Sequence, residues 1–174
     1  NGEIHLGSFS DLKRSSIKLD KVAEKKNYGV GRLADAKPGE SLRMRAFIVQ
    51  VFEPRYFEVC PECGKRALEN ECSVHGKILP KKRALLNVVM DDGTGTMRAV
   101  LFGETINKIG LTDEEIFSIE KFDGKRMGFL GEEKIFSGNI RFNQLYNNTE
   151  FYVDGVEEVS TDALVKELEA KAGG

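Results

Sequence analysis

The chain has 174 residues, 40% hydrophobic and 31% charged, with a formal net charge of −2. That length is enough for one sizeable core. The slight acidic balance disfavours a strongly basic coat for nucleic acid, while leaving room for a local basic groove on an acidic body. No apolar run reaches membrane-spanning length and no secretory leader is recognisable. A first residue of Asn in place of Met fits an excised or processed chain.

Residues 1–40 are polar and irregular and read as a linker or N-terminal extension. Lys37-Pro38-Gly39-Glu40 is a turn signal. Residues 42–52, with Phe47, Ile48, Val49, Val51 and Phe52, form the first expected strand. An unusual segment follows over 55–80. It holds Cys60, Cys63 and Cys72, the only three cysteines in the chain, and His75, one of its two histidines.

The sulfurs and the imidazole stand in two pairs, each pair separated by two residues. That spacing fits a tetrahedral zinc ion held by three thiolates and one imidazole. Gly64 lets the turn around Cys63 close. A disulfide framework would want an even cysteine count, and a redox pair would leave Cys72 and His75 without a role. Four protein ligands close the coordination shell, so the expected Zn2+ is structural. The short interval before His75 argues for a knuckle set in a larger fold. Thiolates used this way suit a reducing interior, so an intracellular location (cytoplasm or nucleoid) is expected. Residues 55–59 and 78–80 are expected to be short strands flanking the metal turns.

Residues 85–90 are the second main strand. Asp91-Asp92-Gly93-Thr94-Gly95 is a hairpin turn whose glycines supply positive backbone angles, and 96–102 is the third strand. Residues 104–109 read as helix, closed by Gly110. Thr112 and Glu115 form a capping box for a short helix through Ile119. Residues 124–133 carry no clear signal. Residues 134–146 are the fourth strand, Asn147-Asn148 a turn and 150–159 the fifth strand. Ser160 opens a last helix through Lys171, with Leu164, Val165, Leu168 and Ala172 on one face. The class is mainly β: a five-stranded OB-fold barrel over 41–159, with a zinc knuckle inserted between strands one and two and a C-terminal helix over 160–174.

Within the third strand, Thr96, Arg98, Val100 and Phe102 alternate onto one face, and Met97, Ala99 and Leu101 onto the other. The first has a cation and an aromatic, as a groove for unpaired bases needs; the second is apolar, as a core needs. In the fourth strand Asn139, Arg141 and Asn143 oppose Phe136, Ile140 and Phe142. Arg98, Arg141 and Asn143 are therefore candidates for the ligand face, with Arg55 and Tyr56 as its wall. No Ser/His/Asp set, phosphate loop or open metal site is present, and no enzymatic role is expected.

The embedded knuckle, the run from Asp91 to Glu104 (Asp-Asp-Gly-Thr-Gly-Thr-Met-Arg-Ala-Val-Leu-Phe-Gly-Glu) and the closing strand Val156-Glu157-Glu158-Val159 before a helix resemble replication protein A. The likeness covers 41–172 and is to a zinc-containing C-terminal OB domain of an archaeal large subunit. It implies single-stranded DNA binding in replication, recombination and repair. It also implies stacking aromatics at the end of strand three, where Phe102 stands, and near the strand four to five loop, where Tyr146 is the nearest match. A last helix that gathers two smaller OB-fold subunits into a heterotrimer is implied as well; Leu164, Val165 and Leu168 would form that interface. Where this family often has Trp, the chain has Phe102. Structural roles stand beside each functional one: Phe102 in the core, Tyr56 against the knuckle, Tyr146 on the rim, Arg98 and Arg141 solvated, and the helix on its own barrel. A subunit scaffold with weak nucleic-acid contact and an RNA-binding OB module are the alternatives.

Overall fold

The computed structural model describes residues 26–172, the side chains at 163, 167 and 171 excepted. The expected linker lies outside the described residues as far as residue 25. In chain order the strands are Gly29–Val30 (β1), Ser41–Val51 (β2), Arg55–Val59 (β3), Glu71–Cys72 (β4), Gly76–Lys77 (β5), Lys81–Asp91 (β6), Thr96–Phe102 (β7), Glu133–Asn143 (β8) and Asn148–Glu158 (β9). Helices Glu104–Lys108 (α1), Asp113–Ile116 (α2) and Ile119–Arg126 (α3) separate β7 from β8, and Thr161–Ala172 (α4) ends the described chain.

Five strands close into a ring in the order β2, β6, β7, β9, β8 and back to β2. The β7–β9 pair is parallel and the others antiparallel. Closure depends on β2, which pairs with β8 over 41–47 and with β6 over 47–51. A register shift between Ile48 and Gln50 turns the strand from one partner to the other. Alternation does the rest: Ile48, Leu86, Val88, Met90, Leu101, Phe136 and Phe151 point inward and are buried. Ile106, Leu111, Ile116, Phe122 and Phe129, from the helical segment, join the same core.

The expected class holds, and β3, β4 and β5 all lie between the first two barrel strands. Several details differ. Residues 78–80 are not a strand; β3 pairs with the start of β6, Arg55 opposite Leu85 and Val59 opposite Lys81, because β6 begins four residues before its barrel portion. The helix expected through Ile119 is two helices: Thr112 and Glu115 form the capping box of α2, and Ser118 accepts from Lys121 N–H to start α3. A 3-10 turn, Met127–Phe129, fills the unassigned stretch. Strand β8 stops at Asn143, whose Oδ1 accepts from Leu145 N–H, and Asn147 takes the left-handed conformation at φ +49°. In the β6–β7 turn Gly93 has a positive φ and Gly95 does not.

Asp92 ties that turn to the chain before the barrel. Its Oδ2 accepts from Leu33 N–H at 2.8 Å, and its Oδ1 accepts from the N–H groups of Thr94 and Gly95 and from the Thr94 hydroxyl. Burial pushes this carboxyl up, but the Thr94 hydroxyl and the three N–H donors outweigh it and hold it below its ordinary value of 3.8. A depressed acid stabilises fully above its ordinary value and loses that contribution as pH falls through the lower folded value. Asp92→Ala should therefore lower Tm at neutral pH and flatten the acid limb of a Tm-against-pH curve below about pH 4.

Gly138 marks a close approach within the β8–β9 pair, beside the register shift at Ser137. A methyl group there would collide with the Tyr152 carbonyl oxygen and lie 2.8 Å from the Phe151 ring. At Gly155 the nearest atom would be Ser137 Cβ at 3.8 Å, an ordinary contact. Gly138→Ala should cost about 1–3 kcal/mol, roughly 2–12 °C in Tm for a chain of this size. Gly155→Ala should leave the melt near that of the parent, and equal melts for the two variants would refute the close approach.

Candidate functional site

The hairpin of β3 and β6 rises out of the barrel, and the cysteine segment forms its tip. Cys60 N–H donates to Lys65 O at 2.8 Å and Gly64 N–H to Cys60 O at 2.9 Å, closing a tight turn with Gly64 at φ +68°. The second turn is the small β4–β5 hairpin, where Cys72 pairs with Gly76 at φ +66°. Folding these turns together brings Cys60, Cys63, Cys72 and His75 to one point, with all ligand atoms within 4.8 Å of one another.

Metal bonds of ~2.3 Å to sulfur and ~2.0 Å to nitrogen place neighbouring ligand atoms about 3.5–3.8 Å apart on a tetrahedron. Cys60 Sγ lies 3.4 Å and Cys72 Sγ 3.8 Å from His75 Nδ1, and Cys63 Sγ lies 3.5 Å from Cys72 Sγ. The donor set and its spacing are compatible with zinc. His75 turns Nδ1 toward the sulfurs and its Nε2 toward Glu62, whose carboxylate is 3.3 Å away, as an orienting partner of a metal-bound imidazole does. N–H groups of Val74 and His75 hold the Cys72 thiol down to about 6, which favours the thiolate a metal requires.

The outer face of the barrel carries a run of flat side chains from β3 to β8. Phe57 and Phe102 meet edge to face, with ring centres 6.3 Å apart at 84°. Phe102 and Tyr152 lie nearly parallel, 6.3 Å apart at 25°. The Arg141 guanidinium sits 4.7 Å from the Tyr152 ring centre, and Arg98 sits 4.5 Å from that of Phe52. Glu150 is in register with both Arg98 and Arg141 and is buried between their strands. Its Oε2 accepts from Asn143 Nδ2 at 2.9 Å. The face is thus cationic and aromatic at its surface, with one carboxylate beneath.

Of the expected ligand residues, Phe102, Arg98, Arg141 and Asn143 come together on this face. Arg55 and Tyr146 meet at its margin, where Arg55 Nη1 donates to the Tyr146 hydroxyl at 3.3 Å and links the base of the β3–β6 hairpin to the β8–β9 turn. Tyr56 is not brought to the set. It alternates away from Arg55 and Phe57, stacks on Phe117 with ring centres 5.1 Å apart, and donates its hydroxyl to the Ile116 carbonyl. Sequence reading missed Phe52, Phe57 and Tyr152. Alternation would have found Tyr152, because Phe151 and Val153 are both core. On α4, Leu164 and Leu168 line a groove of about 420 Å³ with Val30, Met44 and Ile135, while Val165 and Leu168 remain 47% and 65% exposed.

A closed five-stranded ring with one parallel pair and helices between its third and fourth strands is an OB barrel. Solved structures of replication protein A share this fold. One is a replication protein A heterotrimer bound to single-stranded DNA, with 19% identity, a TM-score of 0.61 and coverage of 80% of this chain. The present chain spans 36% of that one. Another is yeast replication protein A bound to single-stranded DNA, with 16% identity, a TM-score of 0.61 and coverage of 87% and 94% of the two chains. No protein-family model and no curated protein matches the sequence.

Elemental analysis should find one zinc ion per chain, and little in a Cys60→Ser variant. Glu62→Gln should weaken zinc binding about tenfold in competition with a chromophoric chelator. A metal-free parent purified with zinc present would overturn the assignment.

Proposed function

We propose that the protein is a single-stranded DNA-binding OB domain of a replication protein A large subunit, acting in DNA replication, recombination and repair. The observation that carries this is the row Phe57, Phe102 and Tyr152 on the outer face, with guanidiniums at Arg98 and Arg141. Unpaired bases stack on flat rings of any sequence, and cations follow the phosphates. Phe102 offers the central ring. Arg98 and Arg141 supply charge beside it, and Glu150 with Asn143 fixes the polar floor. Arg55 and Tyr146 close the groove at the metal hairpin, and a strand entering there exchanges their mutual hydrogen bond for its own phosphates.

Cys60, Cys63, Cys72 and His75 hold zinc with no free position, so the metal is structural and no reaction is assigned to it. Its loss removes the support under Phe57 and Arg55. Helix α4 meets two smaller OB-fold subunits of a heterotrimer through Val165 and Leu168, whose exposure supports this, together with Leu164. The same exposure favours a second reading, in which the chain is chiefly a subunit scaffold and contacts nucleic acid weakly.

Fluorescence anisotropy with oligo-dT tests the first reading. The parent should prefer single-stranded over duplex DNA and RNA, with log Kd rising linearly in log salt. Phe102→Ala should weaken binding by about 1–3 kcal/mol. Binding to the single strand no tighter than to duplex and indifferent to salt would sink it. If only deletion of 160–174 has an effect, and that effect is on assembly, the scaffold reading takes its place.

A further inference from the structure

At the corner after β2, an open cleft of about 450 Å³ is lined by Phe52, Arg55, Asn87, Arg98 and Arg126. Among the described residues it has one carboxylate on its wall, Glu53. Arg126 comes from the helical segment, away from the aromatic row. It reaches the corner because the turn after α3 is stitched to β2: Gly131 N–H donates to Ile48 O at 2.8 Å, and Ile48 N–H to Glu132 O at 3.0 Å. Two further observations point to a ligand. Asn87 is 8% exposed, and its amide makes no hydrogen bond among the described residues although it lines the cleft. The amide atoms are not sealed from solvent; they open to the cleft and can pair with a group that enters it. Arg98 forms no ion pair among the described residues; its guanidinium is held over Phe52 instead, which fixes its direction and leaves its N–H groups for an anion. Among the described residues Arg126 is bound only by Asp123 in its own helix, 3.3 Å away.

We infer, resting on the single-strand reading of this face, that the nucleic-acid track does not end at the aromatic row. It turns over the Phe52 corner into this cleft, where a phosphodiester is held by Arg98 and Arg126 and the Asn87 amide donates to it. The helices between β7 and β8 then form part of the binding surface as well as plugging the barrel. The site is correspondingly longer than the row alone.

The experiment compares oligo-dT of about 4 and about 16 nucleotides, the two ends of the range for one such barrel. The intact chain is titrated at several salt concentrations. Arg126→Ala should bind the long strand about two- to fivefold more weakly and reduce the magnitude of its salt slope by roughly 0.7. Arg126→Glu should bind it more weakly still, and Asn87→Ala should also weaken it. Arg32→Ala, a cation paired with Asp35 outside the face, serves as the control and should match the parent. Far-UV circular dichroism and Tm establish that each variant is folded; the half-buried Arg126 variants keep the test decisive if Asn87→Ala is not. Phe102→Ala in the same series reports on the row separately. If Phe102→Ala weakens binding and both Arg126 variants match the parent on the long strand, the cleft is overturned while the row stands. If the parent binds neither strand, both fall.

Discussion

Strand β2 is the member on which the barrel depends. A strand in an open sheet leaves a row of unpaired N–H and carbonyl groups at each edge. Here β2 gives its first half to β8 and its second half to β6, so the sheet returns to itself and the ring has no free edge at that seam. The bend that permits the exchange is the irregularity between Ile48 and Gln50. The same stretch receives Gly131 N–H and donates to Glu132 O, which anchors the helical plug. One short segment therefore sets ring closure, the placement of the plug and the corner where Phe52 leaves the barrel.

The two faces of β7 were legible from residue type: Ala99 and Leu101 inward, Arg98 and Phe102 outward, with Val100 buried between the latter two. The meeting of Cys60, Cys63, Cys72 and His75 was legible because ligand chemistry restricts residue type and spacing together. What could not be read was the meeting of residues distant in sequence. Nothing local tells that Phe57, in a short strand outside the ring, will touch Phe102, or that Arg55 will reach Tyr146. Tyr56 shows the limit from the other side. An aromatic beside a ligand loop suggests a wall, but period-two geometry turns it to the face opposite Phe57, where Phe117 covers it. The end of β8 was misplaced because Asn143 and Asn147 stop the strand through side-chain and left-handed backbone chemistry, which a run of polar residues does not advertise.

Net charge is a poor guide to the outer face. The chain is slightly acidic, with net charge −2, yet its carboxylates are largely engaged elsewhere. Glu133 holds Arg45, Glu157 holds Arg43, Glu132 and Glu158 flank Lys134, and Glu115 serves the α2 cap and Lys125. Arg98 and Arg141 instead lie over rings. A guanidinium over an aromatic keeps its charge and its donors, while a guanidinium in a salt bridge has them partly spent. The distribution of partners makes the face locally positive on a body that is not.

The cysteine knuckle bears on the same face through its foundations. Strands β4 and β5 are two residues each, and a lone hairpin of that size is not stable in water. Among the tip's neighbours, Leu68 and Val74 are 66% and 56% exposed, so apolar burial adds little there. The four ligand atoms and the two turns that present them are what remains to order the segment. Since β3 runs directly into Cys60, any loosening of that cluster propagates to Phe57 and Arg55, one at the end of the aromatic row and the other at its margin. The cysteine–histidine cluster and the aromatic row are thus one mechanical unit, although no sulfur or imidazole of the first touches a ring of the second among the described contacts.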